Sequence, residues 1–267
     1  MKASIISVLC LVAVAFTGVA LAGPGPTSPL YLTYSYVTGF GNIAVVQGNT
    51  STGFAEAYGG PNEVPIAVSG DVRTTGYCCG IFGGQYSLTG VPTGTSYVLP
   101  FNPQCCSYDS TSDGRHNYLV NYSNGNVYQT ARDFTNPVLL FNSGAGDFGI
   151  TYDRANNSLW ISGWDNATVT DYSLSGGFIS SFSTGHKENA ALALDPADHT
   201  LWLADESSTG NLEQYSTAGA FLSSGPYVGG ALGGEFNFSP VPEPGTLVMF
   251  GSGILGLAGV LRRKINL

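Results

Sequence analysis

Asp109, Thr111, Asp113 and Gly114 imitate the first half of a calcium-binding loop, in which alternating oxygen ligands wrap a hard cation. The glutamate that should close such a loop is missing, because Val120 holds its place. Asp109, Asp153 and Asp195 also fall at matching places in an internal repeat, where a turn uses an Asx side chain to cap its own backbone. A turn role is therefore expected for all three.

Thiol chemistry is the second possibility, from the adjacent pairs Cys78-Cys79 and Cys105-Cys106. Neighbouring Cα atoms lie about 3.8 Å apart, below the usual disulfide range, so a bridge within either pair would be strained. One or two bridges between the pairs are expected instead, stabilising by about 3 kcal/mol, with the connectivity open. A metal site is disfavoured because Cys-Cys lacks the spacing that turns two thiolates toward one ion. Redox chemistry at a vicinal pair is the remaining reading.

His116, His186 and His199 lie on polar turns, and His116 and His199 fall at corresponding repeat positions, which favours a structural role. No G-x-S-x-G, H-E-x-x-H or phosphate-binding glycine loop occurs. A central channel built from several repeats can still collect carboxylates and amides from distant parts of a chain, and Asn117, Asn157, Asp165 and Asp205 are the candidates for it. No catalytic residue, metal ligand or cofactor is assigned.

The elements that must position these groups repeat along the chain. "GITYDRANNSLWISGWDNATVTDYSLSGGFISSF" from Gly149 matches "ALALDPADHTLWLADESSTGNLEQYSTAGAFLSS" from Ala191 at an offset of about 42 residues. Leu159-Trp160-Ile161 pairs with Leu201-Trp202-Leu203, Tyr172 with Tyr215 and Phe178 with Phe221. A weaker copy starts at Tyr108, with Tyr118-Leu119-Val120 as its apolar strand, and Gly-Asn fragments upstream keep the same period. About five such units fit between Leu30 and Gly225. Each reads as four short strands divided by Asx and Gly turns, the pattern of a β-propeller blade. Adjacent apolar positions in the middle strands fit a sheet covered on both faces by its neighbours, which buries Trp202 between blades. Tyr and Trp in such strands are expected mainly in the core, with a sugar-stacking surface as the alternative. The segment after Gly225, "YVGGALGGEFNF", is expected to add a strand that closes the ring.

The order of Asp turn, Leu-Trp-aliphatic strand, Gly-Asn, Tyr and Gly-Phe-aliphatic resembles NHL and related propeller repeats. That resemblance covers roughly residues 108–225 and implies a propeller of six or seven blades; with the repeat count, the expectation is an all-β propeller of about five to seven four-stranded blades over residues 23–240.

Composition restricts the partners. The body holds five basic residues, Arg73, Arg115, Arg132, Arg154 and Lys187, against seventeen acidic ones, so binding to phosphate backbones of nucleic acid is not expected. Lys2 precedes an apolar run that ends in Ala20-Leu21-Ala22, a secretory signal peptide over residues 1–22 with cleavage after Ala22.

The other end, residues 241–267, carries Pro242-Glu243-Pro244, an uncharged apolar stretch, and then Arg262, Arg263 and Lys264. As a helix, residues 246–261 would span about 24 Å, short of a roughly 30 Å hydrocarbon core, and the basic cluster favours a cytoplasmic end. The three parts in this order resemble a PEP-CTERM sorting signal. The resemblance implies transient membrane insertion, processing near Pro242, Glu243 and Pro244 by an exosortase-type enzyme, and delivery to the cell surface or the extracellular medium. The combined expectation is a non-catalytic binding or structural protein of a surface, exopolysaccharide or biofilm matrix. The alternative is a propeller hydrolase or lyase with a metal in its channel.

Overall fold

A computed structural model of the chain describes residues 25–38, 41–58, 63–76, 80–98 and 106–238. The signal-peptide positions Ala20 and Ala22, the cysteines Cys78, Cys79 and Cys105, and the whole of 241–267, including Pro242, Glu243, Pro244, Arg262, Arg263 and Lys264, lie outside the described residues.

Among the described residues, twenty strands form five antiparallel sheets of four. The first contains β1 (Leu30–Thr38), β2 (Gly41–Gln47) and β3 (Thr50–Phe54). The second is β4 (Glu63–Val68), β5 (Val72–Gly76), β6 (Phe82–Tyr86) and β7 (Pro92–Val98). The third is β8 (Ser110–Ser112), β9 (His116–Val120), β10 (Asn126–Ala131) and β11 (Val138–Asn142). The fourth is β12 (Asp147–Asp153), β13 (Ser158–Gly163), β14 (Thr168–Ser173) and β15 (Phe178–Ser183). The fifth is β16 (Asn189–Leu194), β17 (Thr200–Asp205), β18 (Asn211–Ser216) and β19 (Phe221–Tyr227). The last strand, β20 (Ala231–Phe236), pairs with β1 through Leu30↔Phe236, Leu32↔Gly234 and Tyr34↔Ala231, and so becomes the inner strand of the first blade. The ring therefore closes with the C-terminal strand, as the segment after Gly225 was expected to do, and it has five blades. The inner strands β20, β4, β8, β12 and β16 pack side by side around the axis.

Each blade interface has its own apolar cluster. Tyr31, Ile43, Ile66 and Tyr86 join the first two blades, and Ala67, Leu119 and Phe134 the next two. Tyr118, Ile150, Leu159 and Ile161 join the third to the fourth, and Trp160, Leu192, Leu203 and Tyr215 the fourth to the fifth. Trp202, Leu30, Leu32 and Ala44 close the ring. Trp202 is 2% exposed, so it is buried between blades as its place in the repeat implies. Burial on both sheet faces explains why β4, β13 and β16 are buried at every position, whereas β15 alternates at the rim.

The strand directions define two faces. Turns between first and second strands, and between third and fourth, make the lower face; the remaining turns and the links between blades make the upper face. The chain begins on the lower face, where the Ser28 hydroxyl donates to Asp195 Oδ1 at 2.7 Å and Gly48 N–H donates to the Pro26 carbonyl at 2.8 Å. It also leaves there. Phe238 N–H donates to the Val68 carbonyl at 3.0 Å, Ser69 Oγ donates to the Phe238 carbonyl at 2.7 Å, and the Arg154 guanidinium lies 5.3 Å from the Phe238 ring centre.

Candidate binding site

At the upper mouth of the axis a belt of backbone hydrogen bonds passes from blade to blade. Tyr122 N–H donates to the Cys106 carbonyl (3.0 Å), Gly146 N–H to Tyr122 (2.9 Å), Trp164 N–H to Gly146 (2.8 Å), Glu188 N–H to Trp164 (2.8 Å) and Glu206 N–H to Glu188 (3.0 Å). Gly230 N–H then donates to the Glu206 carboxylate at 2.8 Å. Tyr122, Trp164 and Glu206 consequently hold the same position in three successive blades.

Tyr108, Phe148 and Leu232 stand on three inner strands or their approaches, directly inside this belt, and with Tyr122 and Trp164 they line a cleft of about 280 Å³. Its rings are ordered. Tyr108 and Phe148 stack with centroids 4.5 Å apart and planes 10° apart, and Phe148 stacks on Trp164 at 4.6 Å. Tyr122 meets Tyr108 and Phe148 edge to face, each at 6.0 Å. The Tyr122 hydroxyl reaches the exposed Asp165 carboxylate at 3.3 Å, and burial followed by the Asp165 charge pushes the phenol up. Phe148 is 4% exposed and packed by Tyr108 and Trp164, so the cleft presents the half-buried rings of Tyr108, Tyr122 and Trp164, apolar faces beside polar edges of the kind that take up sugar rings and organic cations.

The axis below the cleft is filled. Asp109 Oδ1 accepts the N–H of Gly234 and of Ser110, both at 2.9 Å, and Oδ2 accepts those of Ile150 and Leu192, both at 3.1 Å. One fully buried carboxylate thus joins four inner strands. Burial pushes this carboxyl well up, against the pull of the four amides. Gly233 makes the approach possible: a Cβ there would lie 2.7 Å from the Val64 carbonyl oxygen and 2.8 Å from that of Tyr108. Lower on the axis Glu235 is also buried, between Thr111 and Thr151, and burial raises its carboxyl well above the usual range.

This placement corrects the expected role of Asp109. Asp153 and Asp195 do cap turns on the lower face, accepting Ala155 N–H at 2.8 Å and Ala197 N–H at 2.9 Å. Their counterpart in the third blade is Asp113, which accepts the N–H groups of Arg115 and His116. The turn there is two residues shorter, which conceals the true alignment and leaves Asp109 free to enter the axis. The histidine correspondence fails for the same reason. His116 is the first residue of β9 beside Asp113, whereas His199 precedes β17 and reaches Asp153 Oδ1 of the neighbouring blade at 3.1 Å.

The four channel candidates do not converge. Asn117 is buried in β9 and donates to the Arg132 carbonyl at 2.9 Å, and Asn157 accepts the Tyr152 hydroxyl at 2.9 Å on a lower turn. Asp165 lies at the cleft, and Asp205 in an upper turn of the fifth blade. Sequence reasoning passed over Asp109 and Glu235 as axial groups and Tyr108, Tyr122, Phe148 and Trp164 as one cluster; the two copies carrying Tyr122 and Trp164 have different residues there, so repetition did not mark them.

His186, Asp205 and Glu213 form a group of potential metal ligands, with their ligand atoms within 4.8 Å of one another. Its hydrogen bonds give it a structural character. His186 Nε2 meets Glu213 Oε2 at 2.8 Å and Nδ1 faces Asp205 Oδ1 at 3.3 Å. Asp205 also accepts Ser207, Ser208 and Thr209 hydroxyls at 2.7, 2.7 and 2.9 Å. Burial alone would raise Asp205, yet the bonds from Ser208, Ser207 and Thr209 outweigh it and hold the carboxyl well below its usual range. The hydrogen bond to Glu213 raises His186. Cys106, half-buried on the upper face, forms no disulfide among the described residues, and Cys78, Cys79 and Cys105 lie outside them.

Residues 240–264 match the PEP-CTERM protein-sorting motif. The body is a five-bladed propeller of four-stranded blades, a fold it shares with solved structures. A structure of a nidogen/laminin complex aligns at 14% identity and TM-score 0.54, over 78% of this chain and 97% of that one. A protein of unknown function from Bacteroides caccae aligns at 9% identity and TM-score 0.52, over 78% and 98%. At these identities the likeness concerns the fold alone. No curated protein matches the chain. The sorting motif marks a protein exported across the inner membrane and sorted to the cell surface by exosortase.

Proposed function

We propose that this is a non-catalytic binding protein of the cell surface, whose upper cleft holds the exopolysaccharide of a surface or biofilm matrix. The observation that carries the reading is the ordered aromatic cleft of Tyr108, Tyr122, Phe148 and Trp164, placed on the face opposite the one from which the chain leaves toward its sorting motif. Only three residues separate Phe238 from Pro242, at most about 14 Å of extended chain from Cα to Cα, so a membrane-held tail presents the lower face inward and the cleft outward.

In this reading residues 1–22 direct export, with cleavage after Ala22, and residues 23–240 form the exported body. Exosortase acts near Pro242-Glu243-Pro244, while the apolar segment and Arg262, Arg263 and Lys264 hold the chain at the membrane until it does. A channel hydrolase or lyase has less support, because backbone amides engage both oxygens of Asp109. Titration of the mature exported protein with the producing cell's exopolysaccharide tests the proposal. Trp164→Ala is expected to weaken binding about tenfold with little change in melting temperature, in line with the loss of one aromatic contact face. Absence of binding by the unaltered protein would sink it.

A further inference from the structure

The charge around the cleft bears on the chemistry of what enters it. Asp165 stands at its rim with Tyr122, Glu188 is tied through its backbone to Trp164, and Glu206 takes the place of Trp164 in the next blade. Asp147 precedes Phe148 in the chain, and burial raises its carboxyl to about 6. Against these acids, the upper turns among the described residues carry Lys187 and the carboxylate-paired His186. The arginines lie elsewhere: Arg115 and Arg154 are on lower turns, and Arg73 and Arg132 both pair with Asp71. The lower turns hold Asp71, Asp113, Asp153 and Asp195 together with these arginines, so it is the excess of acid over base, with the aromatic rings, that lies at the upper mouth.

We propose that the cleft takes an amine-bearing sugar, a glucosamine-type residue whose ammonium lies against the aromatic faces and within reach of Asp165. This rests on the glycan-binding reading above and narrows it. A protonated amine is attracted both by the negative faces of stacked rings and by a nearby carboxylate. The apolar side of the pyranose then covers the exposed part of Trp164, which Phe148 backs from within. A uronate or sulfated polymer would bring like charge to Asp165, Glu188 and Glu206 and is rejected on that ground. An N-acetylated sugar keeps the stacking and loses the charge.

The experiment is calorimetric titration of the mature exported protein at pH 6 with three tetramers of similar length: glucosamine, N-acetylglucosamine and a uronate. The glucosamine tetramer is expected to bind about tenfold more tightly than the acetylated one, the range that a cation–aromatic contact supplies. That preference is expected to shrink with added salt and to vanish at pH 8.5, where the amine is uncharged. Asp165→Asn, an exposed and conservative change, should reduce the preference for the amine over the acetylated sugar to about threefold. Equal binding of glucosamine and N-acetylglucosamine, or tighter binding of the uronate, overturns the amine assignment and leaves the glycan reading standing. If no tetramer binds, the amine assignment falls, and the exopolysaccharide titration decides the broader reading separately.

Discussion

The Asp109 carboxylate accepts the backbone N–H of Gly234 at 2.9 Å across 125 residues of chain, so the third blade is fastened to the strand that closes the ring. The same side chain holds Ile150 and Leu192 of the fourth and fifth blades. A single carboxylate at the axis therefore ties ring closure to the packing of the inner strands.

Replacing it should be costly. Asp109→Ala leaves buried amides of three other inner strands without an acceptor, at about 1–3 kcal/mol each, so a loss of at least roughly 3 kcal/mol is expected from urea unfolding. A loss below about 1 kcal/mol would show that water or a neighbouring group replaces the carboxylate without difficulty.

Trp202 fills the interface that the closing strand completes. Trp202→Ala is expected to cost about 3–5 kcal/mol, as for other buried aromatic truncations. An almost unchanged melting temperature would contradict the interblade packing.

His186 makes stability depend on pH. Its folded pKa is raised above the ordinary value of 6.5 by Glu213, so its contribution is complete below that value and is lost as pH rises through the raised one. The stability advantage of the unaltered protein over His186→Gln should accordingly be larger at pH 6 than at pH 8.5. Equal differences at the two values would remove the Glu213–His186–Asp205 contact as a charge-dependent clasp.

Intact mass of the surface-delivered protein reports on processing. Loss of the residues that follow the Pro242-Glu243-Pro244 region is expected, and recovery of a mature form still ending in Leu267 would favour a simple membrane anchor. Glu243→Ala should lead to accumulation of the unprocessed form.

Much of this molecule is legible one repeat at a time. The period of about 42 residues, the Leu-Trp-aliphatic strand and the apolar tail after Gly225 were enough for a four-stranded blade, interblade tryptophans and closure by the last strand, because each follows from local alternation and from the need to cover two sheet faces. The sorting motif is likewise a linear signal, read by order and spacing. Two kinds of feature escaped. Asp109 looked like a turn residue because the third blade has a shorter first turn, and its alignment with Asp153 and Asp195 slipped onto the wrong aspartate.

The cleft escaped for a different reason. Phe148 and Leu232 lie on two inner strands and Tyr108 on the approach to a third, with Tyr122 and Trp164 on two upper turns; their separations follow the repeat, but the residue type changes from copy to copy, so no repeated identity marks them as one set. The sequence alone determined that blades form, how many strands each needs and where the exported chain is sent, since these depend on short-range pattern. Tertiary structure alone decided which side chains meet at the axis and its upper mouth, because closing five blades into a ring converts distant positions into neighbours only once the whole ring is packed.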